Sequence, residues 1–157
     1  MQSGDRAHLH EAMGRLKSGL VVAPAVLEAW GAARGAPGAW FTCAYDPTAK
    51  DTVVLKDAGG AGGWRACAAS LADDAIVYGC FSFAAGEQHR VAFFSWVGPS
   101  VSPLKRGRVP LQRGAVYAAF EGVCADLSLA GERELLEPAA VAAQLARLLT
   151  GRGEIVL

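Results

Sequence analysis

The side chains of this sequence that could do chemistry are few and scattered. Its four cysteines, Cys43, Cys67, Cys80 and Cys124, form no C-x-x-C pair and have no histidine at zinc-binding spacing. Thiols in the cytosol rarely pair, so buried, reduced cysteines are expected. The sequence therefore predicts no metal site, no disulfide and no bound cofactor.

Nucleophilic catalysis would need a nucleophile, a base and an orienting group that converge. The candidates are Ser95 or Cys80 with His89, and no motif surrounds them. The paired aspartates Asp73 and Asp74 have no partner histidine and are more typical of a turn. The glycine run at residues 59–63 lacks the Gly-Lys-Ser/Thr ending of a phosphate loop, so a plain turn is predicted there. We predict that the protein is not an enzyme.

Composition predicts one compact domain. The chain has 157 residues, 15 Lys and Arg against 15 Asp and Glu, and 52% apolar residues. The balanced charge excludes nucleic-acid binding by bulk electrostatics. No apolar run approaches the roughly 20 residues that span a bilayer, and the charged N-terminus does not resemble a secretory signal. We expect no nucleic-acid partner, no membrane span and a cytoplasmic location.

The elements of the first half begin with helices. Leu9, Met13, Leu16 and Leu20 recur at helical spacing and Gly19 ends the helix, which predicts a helical N-terminal extension over residues 1–22. Pro24 suits the first turn of a second helix. A hairpin of two strands, at residues 39–45 and 52–55, follows, and a short helix at 64–71 comes after the glycine run.

The second half contains two long apolar runs, at residues 75–83 and 91–97, which predict central strands buried on both faces. Ser102 and Pro103 start a helix that Pro110 interrupts, so residues 103–123 should form a broken or restarted helix. Val116 and Phe120 should pack on the sheet, with Arg113, Tyr117 and Glu121 on the opposite side. A short strand at 125–129 and a C-terminal helix complete an α+β fold: an α/β/α sandwich with a central mixed sheet of five or six strands.

Charge is concentrated in one stretch of this neutral chain. Residues 88–113 carry no Asp or Glu and five basic residues: Arg90, Lys105, Arg106, Arg108 and Arg113. A basic cluster beside an exposed Tyr117 suits an acidic protein surface, because charge steers the encounter and the ring adds buried contact area. A solvated helix face is the alternative interpretation of the same pattern.

Residues 90–98 (RVAFFSWVG) and 101–108 (VSPLKRGR) resemble the corresponding strand and following segment of coactosin-like proteins, members of the ADF/cofilin-homology (ADF-H) superfamily. The run 73–83 (DDAIVYGCFSF) is similar to the preceding strand of that family. Three further features occur in the family's order over residues 24–149: Glu28-Ala29-Trp30, a hairpin with Trp40 and Tyr45, and residues 132–135 (EREL).

The resemblance implies an ADF-H domain that binds the side of actin filaments without catalysis and regulates the actin cytoskeleton. It places a first actin-binding site on the broken helix and the segment before it, at Lys105, Arg106, Arg108 and Arg113, and a second at His89 and Arg90. Tyr117 is a further candidate contact on the same helix. Two features depart from the family pattern, since Tyr117 stands where a lysine is common and Pro110 breaks the segment sharply.

Two alternatives to filament binding stay open. One is an actin-monomer binding or severing protein of the ADF/cofilin type, and the other is an ADF-H scaffold that has lost actin binding. The predicted division of the chain is an extension at 1–22, the ADF-H domain at 23–150 and a tail at 151–157. A monomeric protein is expected.

Overall fold

A single mixed β-sheet runs through the computed structural model, which describes residues 19–150 and 153–157. Its seven strands are β1 (Val21–Val22), β2 (Trp40–Tyr45), β3 (Thr52–Gly59), β4 (Ile76–Ala85), β5 (Gln88–Val97), β6 (Asp126–Ala130) and β7 (Ile155–Val156). The order across the sheet is β1-β3-β2-β4-β5-β6, and β7 pairs with β4 beyond the start of β2. The β1–β3 and β5–β6 pairs are parallel and the others are antiparallel.

The helices lie on both faces of this sheet. They are α1 (Pro24–Arg34), α2 (Gly63–Ala69), α3 (Pro103–Arg106), α4 (Arg108–Tyr117) and α5 (Pro138–Leu148), with a 3₁₀ turn at Arg133–Leu136. One core packs α1 and α4 on the sheet through Trp30, Val116 and Phe120. The other packs α2 and α5 on the opposite face through Trp64 and Leu145. The predicted α/β/α sandwich is confirmed.

The central strands β4 and β5 are buried on both faces, as their apolar runs predict. Successive side chains point to opposite faces, so Tyr78 and Cys80 join the first core while Val77 and Phe81 join the second. The two strands pair over their whole length, from Ile76 opposite Val97 to Ala85 opposite Gln88. This hairpin is the rigid platform on which α4 lies.

The sheet includes residues near both ends of the chain that fall outside the predicted domain boundaries. Leu20 is fully buried in the first core, and Val21–Val22 pairs with β3, two residues before the predicted domain start. Ile155–Val156 pairs with β4 although it falls in the predicted tail. The helix predicted over the N-terminal extension rests on residues 1–18, which lie outside the described residues. Leu20, the last apolar residue of that pattern, is buried in the first core.

Within residues 19–150 and 153–157, no helix has the length and apolarity needed to cross a membrane.

Candidate functional site

The segment after β5 forms two short helices because its residues start, interrupt and restart the helix. The Ser102 side chain accepts a hydrogen bond from the Lys105 amide, and Pro103 occupies the first turn of α3. Pro110 has no N–H to offer the Arg106 carbonyl, so the regular ladder fails one turn earlier, at Gly107. The predicted broken helix is thus observed, with Pro110 in the first turn of α4.

Arg106 holds the loop between β5 and α3. Its Nε donates to the Val101 carbonyl oxygen at 3.0 Å. Its Nη2 donates to the carbonyl oxygens of Gly98 and Pro99, each at 3.2 Å. All three acceptors are uncharged backbone oxygens. They fix the position of the guanidinium without offsetting its positive charge.

Arg108 is held by the β2–β3 hairpin. Its guanidinium carbon lies 3.7 Å from the centre of the Tyr45 ring, and its Nη2 lies 3.5 Å from Asp51 Oδ1. Gln112, one turn along α4, donates to the same Asp51 oxygen at 3.1 Å and accepts from Arg108 Nε. The carboxylate of Asp51 therefore offsets the charge of Arg108.

Arg113 points toward the sheet, which corrects its predicted place on the outer face of the helix. Its Nη1 donates to Asp126 Oδ2 at 2.9 Å, and Nη2 bonds the other oxygen of that carboxylate and the Leu127 carbonyl. Its Nε donates to Ser95 Oγ at 3.0 Å. Only 20% of the Arg113 side chain is exposed. Its fork-shaped contact joins α4 to β5 and β6 and leaves little of its charge for a partner.

Tyr117 also faces inward. Its ring contacts Phe93 edge to face with centroids 5.4 Å apart, and it packs against the first core while half-buried. The predicted outward position of Tyr117 is wrong because α4 lies along β5 so closely that the Arg113 and Tyr117 side chains meet the strand.

The outer face of α3 and α4 is apolar. Leu104 is 90% exposed and Leu111 is 80% exposed, more than any other large hydrophobic residue in the described part of the chain. Five exposed residues at helical spacing form this face, which we call the leucine stripe: Leu104, Gly107, Leu111, Gly114 and Ala118. Lys105 is exposed beside it. The stripe is not among the sequence predictions. The seven-residue spacing of Leu104 and Leu111, which repeats that of the buried Val109 and Val116, could have indicated a second apolar face of the helix.

The predicted second site lies at the far end of β5. His89 is exposed at the start of the strand, with a ring nitrogen 3.2 Å from the Arg34 carbonyl oxygen at the end of α1. Arg90 bonds the Gln88 side chain. Because α4 runs antiparallel to β5, Lys105 and Arg90 lie at opposite ends of the strand. The structure thus brings the predicted basic residues to two separate places.

The other candidates have structural partners. The Asp73 carboxylate pairs with Arg133 at 2.8 Å, and its carbonyl accepts from the Ser100 amide. The Gly63 amide, in the glycine run, donates to the Gly38 carbonyl rather than pointing to a ligand. Burial raises the pKa of the Cys80 thiol well above its ordinary value. Among the described residues, no cluster of three His, Cys, Asp or Glu could hold a metal ion.

Comparison with solved structures identifies the fold. Human coactosin-like protein shares 18% identity at a TM-score of 0.69, with 82% of this chain and 98% of that chain covered. Mouse coactosin, described as an actin filament binding protein, shares 21% at 0.56, covering 69% and 75%. Streptomyces griseoflavus cofilin shares 13% at 0.71, covering 82% and 98%. No curated protein sequence matches the chain significantly.

The family model for cofilin/tropomyosin-type actin-binding proteins matches residues 19–146. The chain therefore belongs to this family of actin-binding proteins, and the predicted ADF-H fold is confirmed.

Proposed function

We propose that this family member binds the side of actin filaments in the cytoplasm and regulates the actin cytoskeleton by binding alone, as a coactosin-type protein without catalysis. The observation that carries the proposal is the leucine stripe, an exposed apolar face on a helix pair that the sheet holds rigidly. Contiguous exposed apolar surface rimmed by charge is typical of protein interaction sites.

The stripe supplies the binding energy in this proposal. Burying a leucine side chain stabilises a contact by about 1.5–3 kcal/mol, so Leu104 and Leu111 together offer a few kcal/mol. The helix already has its bound conformation, because Arg106, Arg108 and Arg113 tie it to the loop, the β2–β3 hairpin and β6. Little conformational entropy is then lost when a partner docks.

The cations beside the stripe give direction to the encounter. Lys105 and Arg106 have no carboxylate within bonding distance in the described part of the chain, whereas Asp51 and Asp126 offset Arg108 and Arg113. The electropositive part of α3 and α4 is therefore smaller than the sequence suggests. Lys105 and Arg106 steer the association with an acidic actin surface, and the apolar contacts hold it.

His89 and Arg90 form the second contact in this proposal. The turn between β4 and β5 contains Gly86, whose φ of +62° a glycine adopts without strain and whose amide donates to the Glu154 carbonyl at 2.8 Å. His89 and Arg90 follow directly on this rigid hairpin. Their separation from the leucine stripe suits a filament, which offers two neighbouring subunits to one bound protein.

Co-sedimentation with actin filaments tests the proposal. We expect the protein to pellet with filaments while the concentration of unpolymerised actin stays constant. Raising salt from about 50 to about 200 mM should weaken binding only a few-fold, because Asp51 and Asp126 offset two of the four cations on α3 and α4. A rise in unpolymerised actin would instead indicate the ADF/cofilin-type activity, and absence from the pellet would indicate a scaffold that does not bind actin.

A further inference from the structure

We infer that residues 1–18 dock on the leucine stripe and compete there with actin, so that the chain regulates its own binding surface. The competition rests on the proposed function, whereas the docking itself does not. The occupant is this chain's own N-terminal segment.

The N-terminal segment joins the fold next to a residue that contacts α4. Leu20 is fully buried, and the next residue, Val21, donates its amide to the Asp51 carbonyl at 2.8 Å. The Asp51 carboxylate in turn accepts from Gln112 Nε2 on α4 at 3.1 Å. The segment is therefore anchored at Asp51, which itself contacts α4 at Gln112, the sequence neighbour of Leu111.

The chain turns at Gly19, the residue before the buried Leu20. Gly19 has a φ of +80°, the left-handed conformation that commonly follows the last residue of a helix. No atom would obstruct a Cβ at this position, so the turn is not imposed by crowding. A helix that ends at Gly19 can fold back over the surface next to Leu20.

The N-terminal segment matches the leucine stripe in length and in apolar pattern. Residues 1–18 would extend about 27 Å as a helix, and the stripe from Leu104 to Ala118 extends about 21 Å. Leu9, Met13 and Leu16 share one side of the predicted helix, at spacings of four and three residues. Gly107 and Gly114 carry no side chain, so such residues can approach the helix backbone between the two leucines.

The covalent connection between residues 1–18 and the fold favours docking on the leucine stripe. A segment joined within a few residues of its docking surface is present there at an effective concentration in the millimolar range. If the segment covers the stripe in nine molecules of ten, the apparent filament affinity falls about tenfold, since only the uncovered fraction can bind.

Hydrogen exchange on the full-length protein, without actin, tests the docking. We expect amides of residues 6–18 to exchange at least about tenfold more slowly than unprotected amides. The double variant Leu104→Glu with Leu111→Glu should abolish this protection. The control Leu55→Glu with Ala69→Glu adds the same charges at exposed positions on β3 and α2 and should retain it. Equal exchange in the wild type and the stripe variant would overturn the inference.

Filament co-sedimentation tests the competition. Leu9→Glu with Met13→Glu should raise filament affinity about tenfold, whereas His8→Glu with His10→Glu, on the polar sides of the predicted helix, should leave it unchanged. Equal affinity of the Leu9/Met13 variant and the wild type would overturn the regulatory part of the inference.

Two further outcomes separate this inference from its alternatives. Protection that depends on Leu104 and Leu111, in a protein that never pellets with filaments, would support the docking and reject the proposed function. A dimer that dissociates in the stripe variant, with exchange over residues 1–18 unchanged, would assign the stripe to a second copy of the chain and overturn the inference.

Discussion

Replacing Arg113 by alanine should destabilise the fold, because the structure makes this residue a clamp rather than a free charge. The variant loses four hydrogen bonds, two to the Asp126 carboxylate and one each to Ser95 and Leu127. It also leaves Asp126 without its partner beneath α4. The contact between α4 and the β5–β6 edge is what the variant weakens.

The expected cost follows from the burial of the pair. Removing one partner of a buried ion pair costs about 3–5 kcal/mol, whereas an exposed pair is worth about 0.2–1 kcal/mol. The Arg113 side chain is 20% exposed and the Asp126 side chain 34%, which places the pair between these limits. We expect a loss of about 2–3 kcal/mol, and a fall in Tm of about 5–10 °C for a domain of this size.

Thermal unfolding followed by circular dichroism measures this effect. Lys105→Ala is the matched control, since Lys105 is an exposed cation of the same helical segment, and it should change stability by no more than about 0.5 kcal/mol. If Arg113→Ala unfolds within about 1 °C of the wild type, the clamp is not a stabilising contact and the reasoning on Arg113 is refuted.

Three further predictions concern the loop, the thiols and the second contact. Gly98→Ala should destabilise by about 1–3 kcal/mol or more in urea unfolding, because its Cβ would lie 2.0 Å from the Asp73 carbonyl oxygen; unchanged stability would mean that the loop shifts freely. Burial raises the pKa of the thiols of Cys43, Cys67 and Cys80, so these should react with a thiol reagent only on unfolding, and rapid labelling in the native protein would contradict this. Arg90→Glu should weaken filament pelleting about three- to tenfold, and unchanged pelleting would confine the contact to α3 and α4.

The sequence predicts the centre of the fold well because burial on both faces leaves a clear pattern. The runs that became β4 and β5 are nearly continuous stretches of apolar residues, and their aromatic side chains fill both cores. The strands β1 and β7 have two residues each, which is too short for any periodicity, so only their pairing with β3 and β4 reveals them.

The internal partners of the basic residues on the candidate surface could not be predicted from the sequence. A charge count identifies the basic stretch, but the partners that neutralise it come from elsewhere in the chain. Asp51 meets Arg108 across 57 residues, and Asp126 meets Arg113 across 13. Local sequence cannot show such pairs. It could have shown the leucine stripe, since Leu104 and Leu111 share a face opposite the buried Val109 and Val116.

The central claim is that α3 and α4 bind the filament through the leucine stripe. Its most direct test compares filament co-sedimentation of Leu104→Glu/Leu111→Glu with that of Leu55→Glu/Ala69→Glu, once both unfold at the wild-type temperature. We expect the first variant to stay in the supernatant at concentrations where the second pellets like the wild type. Equal pelleting of the two variants would contradict it.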